Sequence, residues 1–224
     1  QAAARQAFEE ARELRDRIRA LSIAPIRRGR MSFPDAAGEL SGILGGGVCV
    51  NVIEGFDLSN CAGSFPVGSM VRFVAGKPDR QGYRRFIIKR APGLDDCRML
   101  EEVLTRRYGR VLREQSTLPD VVLVDGGRGQ LSAACAVWQR LGLRVPLIAI
   151  AKEKELLYLP GVARPLALPA HSALLRLIQR VRDEAHRYAV SFHRLRRSAR
   201  FFESRLDRIA GIGPVTKKVL VKHF

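Results

Sequence analysis

The chain lacks most of the signatures that announce a function outright. It carries no G-x-G-x-x-G run and no P-loop, which argues against a dinucleotide-binding crossover or a nucleotide triphosphatase. The glycine-rich stretch "DGGRG" (125–129) has the wrong spacing and an acid where phosphates would have to come. Four cysteines, Cys49, Cys61, Cys97 and Cys135, stand singly without C-x-x-C spacing, so neither a zinc site nor a disulfide frame is expected. They read as buried thiols of a reducing compartment. No apolar run approaches the ~20 residues a membrane helix needs, and no signal-peptide pattern opens the chain. A cytoplasmic location, with no membrane contact, is the expectation. Internal repeats and low-complexity tracts are absent too.

Acid is the other shortage. Asp and Glu number 22 against 39 Lys and Arg, a net charge of +17 on 224 residues. That surplus attracts polyanions, of which nucleic acid is the commonest in a cell. With 46% hydrophobic residues the chain can still bury a core, which excludes global disorder. It opens on Gln1 and closes on Phe224 within a helical pattern, as a piece of a longer protein would.

Periodicity divides the chain. Residues 1–21 space Phe8, Ala11, Leu14, Ile18 and Leu21 as one face of a helix. Residues 22–47, with Pro25, Pro34 and several glycines, read as a loop-rich linker. Strand patterns follow over 48–56, 68–76 and 83–90, an antiparallel meander. A helix beginning near Asp95 comes next, then the strand "DVVLVD" (120–125), a helix over 129–142 and the strand "PLIAIAK" (146–152). A hairpin or loop leads to Pro169, and a long helix covers about 172–200. Three strands in series followed by alternating helix and strand predict a mixed α/β sheet flanked by helices, with "VVLV" as a central strand buried on both faces.

The scarce acids fall at telling places. Asp57 and Asp125 close two apolar strands, and Asp95 and Asp96 open the helix after the meander. Carboxylates brought together from separate elements repel unless a cation sits between them, and hard ions such as Mg²⁺ or Mn²⁺ accept that oxygen-rich setting. On nucleic acid such a centre hydrolyses a phosphodiester. Each acid also has a plain structural use, as a turn residue or an N-cap, and spacing alone does not choose between Asp95 and Asp96. Of only four histidines, two lie in "RVRDEAHRYAVSFHRLRR" (180–197). There His186 shares a polar row with Gln179, Arg182, His193 and Arg197, off the apolar stripe of Leu174, Leu177, Val181, Ala185, Tyr188 and Phe192. It could bind a metal, move a proton or simply face solvent. Near the end, "IAGIGPVTKKVL" sets Gly211 and Gly213 in a tight turn before a helix with Lys217 and Lys218, the pattern of a helix–hairpin–helix that grips a DNA backbone.

Taken together, "IEGFDLSN", "YRRFIIKR", "GLDDCRMLEEVLTRRY", "LPDVVLVDGGRGQLSAA", "RDEAHRYAVSFHRLRR" and "GIGPVTKKVLVKHF" resemble, in order, the C-terminal half of the UvrC family of bacterial nucleotide excision repair. The resemblance implies an RNase H-like endonuclease domain over 48–200 that cuts DNA on the 5′ side of a lesion, followed by a truncated helix–hairpin–helix over 201–224. It puts the family's catalytic acids on Asp57, Asp96 and Asp125, as ligands of Mg²⁺ or Mn²⁺, and its catalytic histidine on His186. Lys152 matches a recurrent lysine that would meet phosphate, while Arg84, Arg85, Arg182 and Arg187 would position the DNA backbone. The helix 1–21 is similar to the latter part of a hairpin that contacts UvrB. The family's N-terminal nuclease domain and its second hairpin unit have no counterpart in the chain. Two other readings remain open on sequence: a DNA-binding module whose carboxylates are only caps, and an RNase H-fold nuclease of another kind, such as a junction resolvase.

Overall fold

The computed structural model describes residues 32–59, 66–88, 95–152 and 155–206, and the single positions 213, 216 and 219; in the last helix side chains are described up to Ser191. Eight strands form one mixed sheet: β1 (Val52–Ser59), β2 (Val67–Val74), β3 (Lys77–Pro78), β4 (Arg84–Ile87), β5 (Val121–Asp125), β6 (Leu147–Ala151), β7 (Leu156–Tyr158) and β8 (Leu166–Ala167). Their order is β3-β2-β1-β5-β6-β7-β8, with β4 also paired to β2. The first strands form the expected antiparallel meander, whereas β1, β5 and β6 run parallel through the centre. Among the described residues four α-helices accompany the sheet: α1 (Phe33–Ile43), α2 (Asp96–Arg113), α3 (Arg128–Leu141) and α4 (Ala173–Leu206).

Alternation along the strands sorts the core into two layers. Ile53, Val71, Phe73, Val121, Leu123, Ile148 and Ile150 meet α1 and α4 on one face. Phe56, Met70, Val122, Val124, Leu147 and Ala149 meet α2 and α3 on the other. Strand β5, flanked on both sides and covered on both faces, is the buried central strand that "VVLV" implies.

Gly55 sets how closely α4 lies on β1. A Cβ at that position would fall 2.4 Å from the Val181 Cγ1, so only a bare backbone admits the helix there. One turn further on, Ser69 Oγ donates to the Ala185 carbonyl at 2.8 Å. These two contacts press the next residue of the helix, His186, against the end of β1.

The structure corrects three expectations. The loop-rich reading of 22–47 fails over 33–43, which is helix α1. Pro34 stands in its first turn, where a missing N–H costs nothing, and Ser32 and Asp35 form a capping box. Ala36, Leu40 and Ile43, spaced by four and three, are buried in the core. Strand β1 runs on to Ser59, so Asp57 lies within it, paired with Ser69, rather than closing it. The thiols are free but not buried: Cys49 is exposed, Cys97 and Cys135 are intermediate, and Cys61 lies outside the described residues. The helix expected over 1–21 also lies outside the described residues, as do Gly211, Lys217 and Lys218 of the hairpin; Gly213 is exposed. Among the described residues no helix is long and apolar enough to cross a membrane.

Candidate active site

Parallel pairing decides which acids meet. Phe56 stands opposite Val124, so the next residues, Asp57 and Asp125, leave adjacent strands side by side. Both point to the α4 face, as Ile53 and Leu123 do. Asp125 is in turn opposite Ile150, two residues before Lys152. Asp57, Asp96, Asp125, Gly126, Gly127, Gln130 and Lys152 line one cavity of about 300 Å³ at this edge. From the helix side, His186 Nδ1 comes within 3.5 Å of Asp57 Oδ2. All four residues expected to be catalytic, together with Lys152, thus converge from five elements far apart in sequence.

The same edge separates the two neighbouring acids at the start of α2. Asp95 is the cap: its Oδ1 accepts from the backbone N–H groups of Cys97 and Arg98 at 3.1 and 3.2 Å. Asp96 faces the cavity. The capping role therefore belongs to Asp95, while Asp96 lines the cavity.

Asp57 is the most perturbed acid of the group. Its side chain is 5% exposed, and burial, more than any other influence, raises its pKa from 3.8 to about 8. The Asp125 carboxylate contributes to this rise by charge and by a hydrogen bond, and Asp96 adds a smaller repulsion. Lys152 acts in the opposite direction. Asp57 Oδ2 is buried without a hydrogen-bond partner. A buried oxygen left in this state, crowded by two other carboxylates, is costly unless a proton or a cation neutralises it.

Gly126 and Gly127 have separate duties. Gly126 has φ +143°, and a Cβ on it would strike Gln130 Cγ at 2.6 Å. Beside Gly127 a Cβ would meet nothing within 4 Å, so this position opens the space next to Asp125. Gln130 was not among the expected site residues. Its Oε1 accepts from the Gly127 N–H at 3.0 Å, and its placement at the third position of α3 is the detectable signal.

The arginines differ in how they are held. Arg84 is exposed, with Nη1 donating to the Gln81 and Tyr83 carbonyls. Arg85 stacks 4.1 Å from the Tyr188 ring centroid and donates to Ser191 Oγ. It lies in register with Ser69, itself opposite Asp57, so an arginine stands two strands from the acid at the same level. Arg187 is exposed and gripped by Glu184. Arg182 is only 11% exposed and pairs with Glu155 and Asp183. A larger cleft of about 800 Å³, lined by Ile43, Trp138, Pro146 and Leu159, opens at the other end of β6 and holds no carboxylate or histidine.

Comparison with known proteins shows the family of the chain. Residues 43–190 match the family described as the UvrC RNase H endonuclease domain. The UvrABC system protein C of Dehalococcoides mccartyi is 46% identical over 200 residues, covering 87% of this chain and 33% of that protein. Its counterpart in Methanococcoides burtonii is 48% identical over 174 residues, covering 77% of this chain and 29% of that protein. The chain thus spans about a third of the length of the curated relatives it matches. Among solved structures, Ciona intestinalis endonuclease V in complex with DNA superposes with a TM-score of 0.42 and 14% identity, covering 65% of this chain and 87% of that one. On the family match and the near-half identity to relatives across most of its length, the chain belongs to the UvrC RNase H endonuclease domain family.

Proposed function

We propose that this domain is a metal-dependent DNA endonuclease that makes the 5′ incision beside a lesion in nucleotide excision repair. The observation that carries the reading is the buried Asp57 Oδ2, without a hydrogen-bond partner, in a cavity shared with Asp96, Asp125 and Lys152, with His186 Nδ1 3.5 Å from that oxygen. The donor set fits a hard divalent cation: the candidate ligands are all carboxylate oxygens, and crowding leaves them short of positive charge. Among the described residues no three His, Cys, Asp or Glu side chains form a ready-made cage. Mg²⁺ needs none, since it is commonly held by one or two carboxylates together with water and substrate phosphate. Asp57 and Asp125 would hold it, with Asp96 completing the set.

When bound, such an ion supplies neutralisation of phosphate charge and activation of water. Hydrolysis joins a water oxygen to phosphorus and breaks the bond to the 3′ oxygen, which takes up a proton and leaves a 5′-phosphate. Of the chain's own groups, His186 would take or give a proton at an imidazole nitrogen. Lys152 offers its ammonium to a phosphate oxygen. Arg84, Arg85 and Arg187 would track the DNA backbone along β4 and α4, and Arg182 would act through the residues it pairs with. The segment 201–224, with Gly211, Gly213, Lys217 and Lys218, would add backbone grip as a helix–hairpin–helix, and 1–21 would contact UvrB in a cytoplasmic repair complex.

The test is nicking of a lesion-bearing or bubble duplex with Mg²⁺ or Mn²⁺, mapped to the strand and side of the lesion. Cleavage on the 5′ side, lost on chelation and lost in Asp125→Ala, supports the reading. Undiminished cutting by Asp125→Ala would overturn the catalytic assignment, and a preference for four-way junctions would overturn the repair role.

A further inference from the structure

The turn between β6 and β7 carries Lys152 at one end and Glu155 at the other, because Ala151 and Leu156 are the last paired residues. Glu155 has φ +50°, a left-handed conformation that glycine or asparagine adopts at least cost. A glutamate in that position is explained by what its carboxylate touches. Oε2 accepts from Gln179 Nε2 at 2.6 Å, and Oε1 faces Arg182 Nη1 at 3.6 Å. Gln179 and Arg182 belong to the same row of α4 as His186, at intervals of three and four residues. Arg182 is nearly buried, and its Nη1 has no hydrogen-bond partner, so the pairing with Glu155 is its closest compensation at that atom. Lys152, by contrast, is exposed, and among the described residues no hydrogen bond or ion pair fixes its ammonium. Its place at the cavity depends on where the turn is held.

We propose that Glu155, clamped by Gln179 and Arg182, is a positioning residue that locks the Lys152 turn to the helix carrying His186 and so presets the lysine for the phosphodiester. The inference rests on the nuclease reading above. It assigns Arg182 to the clamp rather than to direct contact with DNA, and it gives the strained backbone at Glu155 a use: the strain is tolerated because the side chain ties two parts of one site together.

The informative variant is Glu155→Gly, which relieves the left-handed backbone while deleting the clamp. Relief of the backbone offsets part of the cost of leaving Arg182 Nη1 unpaired, so nicking is compared at a temperature where circular dichroism shows both proteins fully folded. Single-turnover nicking should nevertheless slow roughly tenfold, within the ~100-fold that a misplacement of about 1 Å can cost. Lys152→Ala should slow it at least as much, and adding Glu155→Gly to Lys152→Ala should change nothing further. Glu155→Gln, which keeps an oxygen for Gln179 but loses the charge facing Arg182, should fall between. The salt dependence of DNA binding, measured with EDTA so that the DNA stays intact, offers a readout independent of turnover. Its slope should drop by about 0.9 for Lys152→Ala, one phosphate contact, and by part of that for Glu155→Gly. Losses from the two substitutions that multiply, in a wild type that nicks and binds normally, would overturn the clamp alone. A wild type that neither nicks nor binds DNA would overturn the nuclease reading and the clamp with it.

Discussion

Replacing Asp57 with asparagine should stabilise the metal-free domain, and increasingly so as pH rises. The carboxyl is buried beside Asp125, with its pKa raised from 3.8 to about 8. The sign follows from linkage. A carboxyl that holds its proton more tightly when folded favours the folded state at low pH, and that advantage is lost as pH rises toward the folded value. Each pH unit between 3.8 and about 8 then removes about 1.4 kcal/mol, which sets a ceiling of roughly 4 kcal/mol at pH 7. Relaxation and water entry trim such penalties, so ~2–3 kcal/mol is the working figure. The amide is nearly isosteric, carries no charge and can donate to Asp125. The assay is urea unfolding of wild type and Asp57→Asn with EDTA at about pH 5 and about pH 8, scored as the stability gap between the two proteins. The gap should widen by ~2 kcal/mol or more across that window. Millimolar Mg²⁺ should then restore stability at the upper pH to wild type and not to the variant. A gap that ignores pH, or a variant that is weaker at the upper pH, would refute the account of a strained carboxylate cluster.

Other consequences are tested more directly. Asp95→Ala removes a helix cap and should cost about 1 kcal/mol of stability with nicking retained. Asp96→Ala, its neighbour, should abolish nicking while the domain still unfolds in one cooperative urea transition. Glu54 is 1% exposed within β1, where it accepts from Arg107 and from the Tyr108 hydroxyl at 2.9 Å. Glu54→Ala should therefore cost ~3–5 kcal/mol by stranding a partly buried guanidinium, read as a lower urea midpoint. Gly55→Ala would drive a methyl into Val181, and a loss of ~1–3 kcal/mol is expected, with His186 displaced from Asp57 and nicking reduced.

Local chemistry made much of this protein legible. Unbroken apolar runs located β5 and β6, and a helix cap and helical patterning located the three helices after Asp95, because each signal belongs to one covalent segment. Where the reading slipped, neighbours distant in sequence had overruled local preference. Proline and glycine spoke for a linker over 22–47, yet burial of Ala36, Leu40 and Ile43 against the sheet made 33–43 a helix. An apolar run ending at Phe56 suggested a strand end, yet pairing with β2 carries β1 through Asp57 to Ser59.

The sequence by itself determined the inventory: a basic chain, a buried central strand, and few acids and histidines. Motif order also identified its family. Only the tertiary structure decided who meets whom. Parallel register set Asp57 beside Asp125, close helix approach at Gly55 brought His186 to them, and the cap fell to Asp95 while Asp96 lined the cavity. The clamp at Glu155 was invisible for the same reason, since its partners lie 24 and 27 positions further along the chain. Residue type and spacing determine what a side chain can do, but charge repulsion, burial and reach depend on distances that only the packed fold establishes.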